Sequence, residues 1–573
     1  WRSENKGNSW SPISQDLTTD TNRYELETMD NRVWSSDALY DTGAMSKYAT
    51  LTSIDESPKV EGLLYTGSDD GLIHVSEDGG QNWRKSGTLP KVRARSFIND
   101  IEASRHDANT VFAVADSHKF GDFSAHVFIS RDRGRTWKSI TGDLPAGNIV
   151  WVLKQDHVNE NLLFIGTENG IYFSPNQGTN WIKLDGGVPT IAFRDLELHQ
   201  RDNDLVGATF GRGFYVLDDY TPLRELSNTI NQKSNKLFSV RDAWWYVPNV
   251  PMQAKGMPGQ GTTSFRTENP PFGAVFTYYL HDLPKTTKAR RKDSEKSLRE
   301  KNMNIPFPGW ERLNEEINEN EPQVLLLVKD TDGNAIRWIK GTSKKGLHRV
   351  NWDLKLPAPD PIELTEPEFR PPWAGDAEGP LIAPGTYTVE LFIAYNGNLQ
   401  SQGSSQGFTV KPVSNIVAGT DFNAVADFQQ KTSEFSRKLS SAGRKLGEVD
   451  NRLKYMKAAL LETPKANPEL FKRLNALDKK RTDLRALLYG DPIRQKFNEA
   501  TAPSIQSRVG GVAYGHWETR QSPTENQKRS IEIAETDFEK FSGEFVSYFK
   551  EMETVEAALE AAGAPYTPGR KLD

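Results

Sequence analysis

The 573-residue sequence contains no cysteine. That excludes disulfide staples, thiolate metal sites and cysteine nucleophiles, and it suits an exported bacterial protein that folds without oxidation. Long apolar runs are missing as well: nothing approaches the ~18 residues that cross a bilayer, so no membrane-spanning segment is expected. Charge of one sign is also lacking, because 71 Lys and Arg stand against 77 Asp and Glu, a net charge of -6. Bases concentrate only from Lys288 to Lys301, so the basic face of a nucleic-acid binder is not expected. No His-Glu-x-x-His, Gly-x-Ser-x-Gly, phosphate loop or dinucleotide fingerprint occurs, and the nine histidines are dispersed. Neither a metal nor a cofactor is therefore expected. Asp330 and Asp332 could bind calcium, but a hairpin turn is their more ordinary role.

What the sequence does have is a repeat. Ser76-x-Asp78-x-Gly80-x-x-Trp83 and Ser130-x-Asp132-x-Gly134-x-x-Trp137 share one pattern. Ser174, Asn176, Gly178 and Trp181 repeat it with Asn for Asp, as do Ser3, Asn5, Gly7 and Trp10. The pattern reads as a hairpin turn in which Asp or Asn accepts backbone N–H groups, Gly supplies positive φ and Trp packs between sheets. Strand-like runs flank each copy, Leu63 to Gly67 then Leu72 to Val75, and Leu162 to Gly166 then Ile171 to Phe173. Phe97 to Glu102, Ile149 to Leu153 and Phe193 to Leu198 offer a preceding innermost strand. Four-stranded blades spaced as in a β-propeller follow, four of them reasonably complete, with the end of another before Trp10.

These boxes, with the run Gly207 to Phe214 resembling a closing blade, are similar to the BNR or Asp-box repeat family, which includes bacterial glycosyl hydrolase-like and sortilin-like (VPS10-type) proteins. The resemblance implies a propeller over residues 1–220. Because the chain starts at Trp1 without an initiator Met, it reads as a processed or partial product with further blades upstream.

The boxes themselves are expected to be structural. Function is expected in the loops joining blade strands two and three, which face the funnel. Those loops supply Ser68, Asp69 and Asp70, then Asp116, Ser117 and His118, then Glu168 and Asn169, and finally Arg212. A carboxylate pair drawn from Asp69, Asp70, Asp116 and Glu168 could serve as general acid and base on a glycosidic bond; turn-forming Asp is the competing reading. Arg212, His118 and Asn169 are candidate binding residues. A sialidase-type site needs an arginine cluster for the substrate carboxylate, and only Arg212 is so placed.

Beyond Asp219 the pattern stops. Residues 221–262, with Pro248, Pro251 and Pro258, read as a connector. Alternating runs over 263–413, with Asp332-Gly333 as a turn, predict an immunoglobulin-like β-sandwich interrupted by a charged excursion at 285–320. That excursion reads as a solvated loop with a short helix near Trp310 to Asn318. From 414 to 573 the period changes to threes and fours. Phe435, Leu439, Leu446, Leu453 and Leu460 mark one helix, Leu470 to Leu488 a second and Ile531 to Leu559 a third, which together predict a helical bundle.

The expected fold is thus multidomain and mainly β. The expected function is a secreted, periplasmic or cell-surface scaffold of a bacterium, whose propeller face recognises a protein, peptide or glycan. The sandwich or helices would dock it to other envelope proteins. An Asp-box glycoside hydrolase is the alternative.

Overall fold

Short apolar runs separated by Asp, Asn and Gly turns make antiparallel hairpins, and a run of such hairpins builds the first of two units, Trp1–Ser239 and Val240–Asp573. The computed structural model describes residues 1–27, 33, 48–226, 233–248, 269–365, 369–371, 375–413, 420–517 and 519–570.

In the first unit β1 (Leu51–Glu56), β2 (Leu64–Ser68), β3 (Ile73–Ser76) and β4 (Arg84–Lys85) form a four-stranded sheet in chain order. β5 (Phe97–Ala103), β6 (Val111–Ser117), β7 (Asp122–Ser130) and β8 (Lys138–Ser139) form a second. A third comprises β9 (Val150–Gln155), β10 (Leu163–Thr167), β11 (Gly170–Ser174) and β12 (Ile182–Lys183). β13 (Phe193–His199), β14 (Asp204–Thr209) and β15 (Phe214–Leu217) make a three-stranded sheet, and a two-residue strand, β16 (Lys236–Leu237), follows later.

Among the described residues, three blades of four strands and a last one of three stand for the four reasonably complete blades expected. No box follows β15. The chain turns there to anchor Tyr220, whose backbone N–H donates to the Asn203 carbonyl at 2.8 Å and whose side chain is wholly buried.

The first strands lie side by side, β1 against β5, β5 against β9 and β9 against β13. Side chains stitch them together. Thr52 Oγ1 donates to the Ile98 carbonyl at 2.8 Å and Asn99 Nδ2 to that of Val150 at 2.7 Å, while Asp55 accepts Ala103 N at 2.6 Å. Every residue of β6 is buried, because alternate side chains enter two different cores. Val111 and Ala113 pack with Tyr65, Val75 and Phe128, whereas Phe112 and Val114 pack with Leu153, Leu163 and Trp181. Each large side chain so buried stabilises by roughly 1.5–3 kcal/mol.

The box turns share one bonding scheme. Ser76, Ser130 and Ser174 accept the N–H of Gly80, Gly134 and Gly178 through Oγ at 2.8, 2.8 and 2.7 Å. Asp78, Asp132 and Asn176 accept the N–H four residues on at 2.9, 2.8 and 2.9 Å. Ser3 and Asn5 do the same for Gly7 and Ser9, at 2.7 and 2.8 Å. Neighbouring boxes are joined through the indoles: Trp83 donates to the Ile13 carbonyl at 2.9 Å, Trp137 to Ser86 at 2.8 Å and Trp181 to the Ile140 carbonyl at 3.1 Å. Ile13, Ser86 and Ile140 each follow the preceding box Trp by three residues, so the turn at Ser3–Trp10 stands to its neighbour as the others do to theirs.

In the second unit β17 (Ala243–Trp245) lies in the stretch expected as connector; Pro251 and Pro258 of that stretch fall outside the described residues. β18 (Ala274–Leu280), β19 (Gln323–Lys329), β20 (Ala335–Gly341), β21 (Gly346–Trp352), β22 (Gly385–Tyr395), β23 (Asn398–Ser401) and β24 (Gln406–Pro412) follow. One sheet runs β17-β24-β22-β19-β20 with β23 beside β22, the β17–β24 pair parallel and the others antiparallel. β18 pairs with β21. Phe276 and Trp352 of that pair meet Phe408 of the larger sheet at ring separations of 5.5 and 6.3 Å.

The charged excursion is not a solvated loop. It forms α1 (Thr287–Glu300) as well as the short helix α2 (Trp310–Asn318). Thr286 caps α1, and Arg291 joins the two helices by bonding both Glu316 oxygens at 2.7 Å and Glu295 at 2.6 Å. Paired charges join these helices, and α1 has no apolar stripe of its own to bury.

The C-terminal part has α3 (Phe422–Leu461), α4 (Glu469–Tyr489), α5 (Pro492–Lys496), α6 (Ile505–His516) and α7 (Glu525–Ala561). Asp421 caps α3, and Thr524 with Gln527 forms a capping box on α7. The shared core takes Leu446, Leu453, Leu477, Phe541 and Met552, and also Ile505, Val509 and Val512 of α6. A fourth packed helix thus joins the three expected.

Candidate functional site

The loops after the second strand of each blade hold the predicted site residues, and their carboxylates are turned into the protein. Asp70, nearly inaccessible, accepts the N–H and hydroxyl of Thr19 at 2.7 Å each and the hydroxyl of Ser68. Asp69 accepts Thr50 N at 2.8 Å, and burial raises its carboxyl above the usual range. Asp116, also buried, accepts His118 N at 3.1 Å and contacts the His118 ring through Nδ1. Glu168 accepts the Trp151 indole N–H at 2.9 Å. Asn169 donates to the Gly147 carbonyl at 3.2 Å. These bonds fix the loops, as short-range Asp turns do.

Rings and cations are what the same face leaves outward. Trp151, at the start of β9, is the hub: the Arg194 guanidinium lies 3.5 Å from its ring centroid, and the His118 ring meets it edge-on at 6.1 Å. Arg194 also reaches exposed Phe210, 5.5 Å away. Arg93 sits over exposed Phe120 at 4.5 Å and Lys119 over Phe97 at 5.0 Å. A cavity of about 380 Å³ opens beside them, lined by Asp70, Lys85, Arg93 and Arg95. Arg212 is exposed at the β14–β15 loop tip, where its backbone N–H donates to Thr209 Oγ1 at 3.1 Å.

Of the predicted residues, His118 and Glu168 are brought together through Trp151, whereas Asp69 and Asp70 lie with Thr19 and Thr50. Trp151 and Arg194 escaped sequence reasoning. Both occupy the second positions of innermost strands, where the alternation of strand faces would have singled them out. A charged group further along those strands was missed too. Lys154 donates to Glu102 at 3.1 Å, and Asp100 accepts Leu153 N at 3.0 Å. Burial pushes the Asp100 carboxyl up to about 7.

A separate group, His199, Asp202 and Asp204, has ligand atoms within 4.8 Å of one another and the donor types of a metal site. His199 and Arg201 both pair with Asp202, at 3.2 and 2.9 Å. At the other predicted acidic turn Asp330 accepts Asp332 N at 3.0 Å and Asn334 N at 2.8 Å. Among the described residues no helix is long and apolar enough to cross a membrane.

Residues 71–210 match the family model of sortilin, neurotensin receptor 3. The matched residues contain the boxes that begin at Ser76, Ser130 and Ser174, so the match and the box turns together support a sortilin-like, Asp-box β-propeller group for this repeat. No curated protein matches the sequence. Among solved structures, YCF48 bound to D1 peptide is 16% identical over 30% of this chain and 52% of that one, with a TM-score of 0.24. The GH74 enzyme of Niastella koreensis is 14% identical over 30% of this chain and 29% of its own, also at 0.24. An auxiliary nutrient binding protein from Bacteroides thetaiotaomicron is 12% identical over 31% and 40%, at 0.25. The chain spans about half or less of the length of each of these three structures.

Proposed function

We propose that this is a secreted or cell-envelope binding scaffold whose first unit recognises an acidic peptide or protein segment on the loop face around Trp151. One observation carries the reading. The four loop carboxylates are engaged in bonds within the protein, while Arg93, Lys119, Arg194 and Arg212 stay outward beside Phe120 and Phe210. Guanidinium groups bind carboxylates in two-point contacts, and exposed rings add apolar anchoring.

A glycosidase of this fold would need two carboxyl groups facing an open cleft, so the hydrolase alternative is the weaker reading. Phe276, Trp352 and Phe408 meeting between two sheets supports an immunoglobulin-like sandwich over 263–413. With the helices it would dock the scaffold to envelope partners.

Selection of a random peptide display library on the full chain tests the proposal. Enrichment of Asp- and Glu-rich sequences carrying an aromatic residue is expected, and Arg194→Glu should abolish it. Recovery of unbiased sequences, or glycan cleavage by the chain, would overturn it.

A further inference from the structure

The helix α2 is built inside out. An amphipathic helix on a protein normally buries its apolar stripe. Here the inward position is Glu316, clamped by Arg291 with both oxygens at 2.7 Å. Trp310 and Ile317, seven residues apart and so on one face, are 75% and 80% exposed. The segment leading into the helix extends the patch: Met303 is 57% and Phe307 62% exposed, and the Phe307 ring packs edge-on against Trp310 at 5.1 Å.

The neighbouring α1 contributes exposed basic charge. Lys288, Arg290, Lys292, Lys296 and Arg299, with Lys301 just beyond, are exposed and make no ion pair among the described residues. The Arg291 clamp holds this basic helix against the apolar one, and Thr287 N donating to Glu319 at 2.6 Å with Tyr395 bonded to the same carboxylate ties both to β22. The apolar patch is thus presented by a fixed platform.

We infer that α1 and α2 form a peripheral docking surface for an anionic lipid bilayer. Trp310, Phe307, Ile317 and Met303 would enter the headgroup region, and the lysines and arginines of α1 would meet the negative surface. Two features favour a bilayer over a protein groove. A nine-residue helix offers far less than the roughly 800 Å² per partner that a stable protein interface buries. A mixture of Trp and aliphatic side chains rimmed by cations is also what interfacial segments carry.

Co-sedimentation of the full chain with phosphatidylcholine vesicles, with and without phosphatidylglycerol, tests the inference. Binding to the anionic vesicles is expected, weakened by added salt and poor on the neutral ones. Phe307→Ala with Trp310→Ala should reduce it at least about tenfold. Lys292→Glu with Lys296→Glu, at exposed positions that leave the fold intact, should reduce it by a comparable factor. Failure to sediment with either vesicle, or undiminished wild-type binding by both double variants, would overturn it. The same patch would then belong to a protein partner.

Discussion

Asp156→Asn should destabilise the first unit more than almost any other single polar substitution. Asp156 is fully buried and holds the end of the last blade. It accepts Arg224 Nε at 2.7 Å and Nη2 at 2.8 Å, the Tyr220 hydroxyl at 2.8 Å and Asn159 N at 2.7 Å. Burial acts to raise its carboxyl, but the Arg224, Asn159 and Tyr220 hydrogen bonds outweigh it and hold the group below the usual carboxylate range. An amide can keep only one acceptor oxygen, and its NH2 would face the guanidinium. Arg224, itself largely buried, would be left as an uncompensated charge. Breaking a buried pair from one side costs about 3–5 kcal/mol. For a unit of this size that lowers the melting temperature by roughly 6–20 °C.

Calorimetry of the full chain would read this as a downward shift of one transition, with the other unchanged. Because the folded pKa is depressed, the contribution is present above the unfolded carboxylate range and lost as pH falls through the folded value. The gap between wild type and Asp156→Asn should therefore close in acid. A shift equivalent to less than about 1 kcal/mol, or a gap that persists in acid, would refute the reasoning.

Three further outcomes are expected. Asp100 has its carboxyl raised to about 7, so the folded state binds the extra proton and its contribution to first-unit stability falls as pH rises from the unfolded value toward 7; Asp100→Asn should flatten that part of a melting-temperature profile. Gly178→Ala should cost about 2 kcal/mol or more by denaturant titration, since φ is +82° and a Cβ would stand 2.6 Å from the Ile140 carbonyl oxygen. Phe541→Ala should cost about 3–5 kcal/mol, seen in the second unit's transition, because that ring is 1% exposed and stacks on Phe538 and Phe545 at 5.8 and 5.4 Å.

The repeat was legible because its turn chemistry is local. Ser, Asp and Gly at fixed spacing bond one another within a single hairpin, so spacing alone announces the structure. The long helices α3, α4 and α7 were legible for a similar reason, their leucines and phenylalanines recurring on one face. What escaped depends on partners distant in sequence. The basic run of α1 has no apolar stripe and is fixed by Arg291 reaching Glu316, 25 residues away. The helix α6 carries Gly510, Gly511 and Gly515, which lower helix propensity, and forms because Ile505, Val509 and Val512 enter the core of its neighbours. Trp151, Arg194 and His118 sit on different blades, and their meeting is a product of blade stacking. The last sheet of the first unit ends at β15, and beyond it comes a tertiary anchor, Tyr220 on Asp156, that no local pattern announces.

The central claim is that the loop face around Trp151 binds an acidic peptide segment. It is tested most directly by titrating a display-selected acidic peptide into the full chain and into an Arg194→Glu, Arg212→Glu variant at rising salt. The account predicts at least about tenfold weaker binding by the variant, and wild-type affinity that falls with ionic strength, as guanidinium–carboxylate recognition requires. Equal affinity of the two proteins, unmoved by salt, would contradict it.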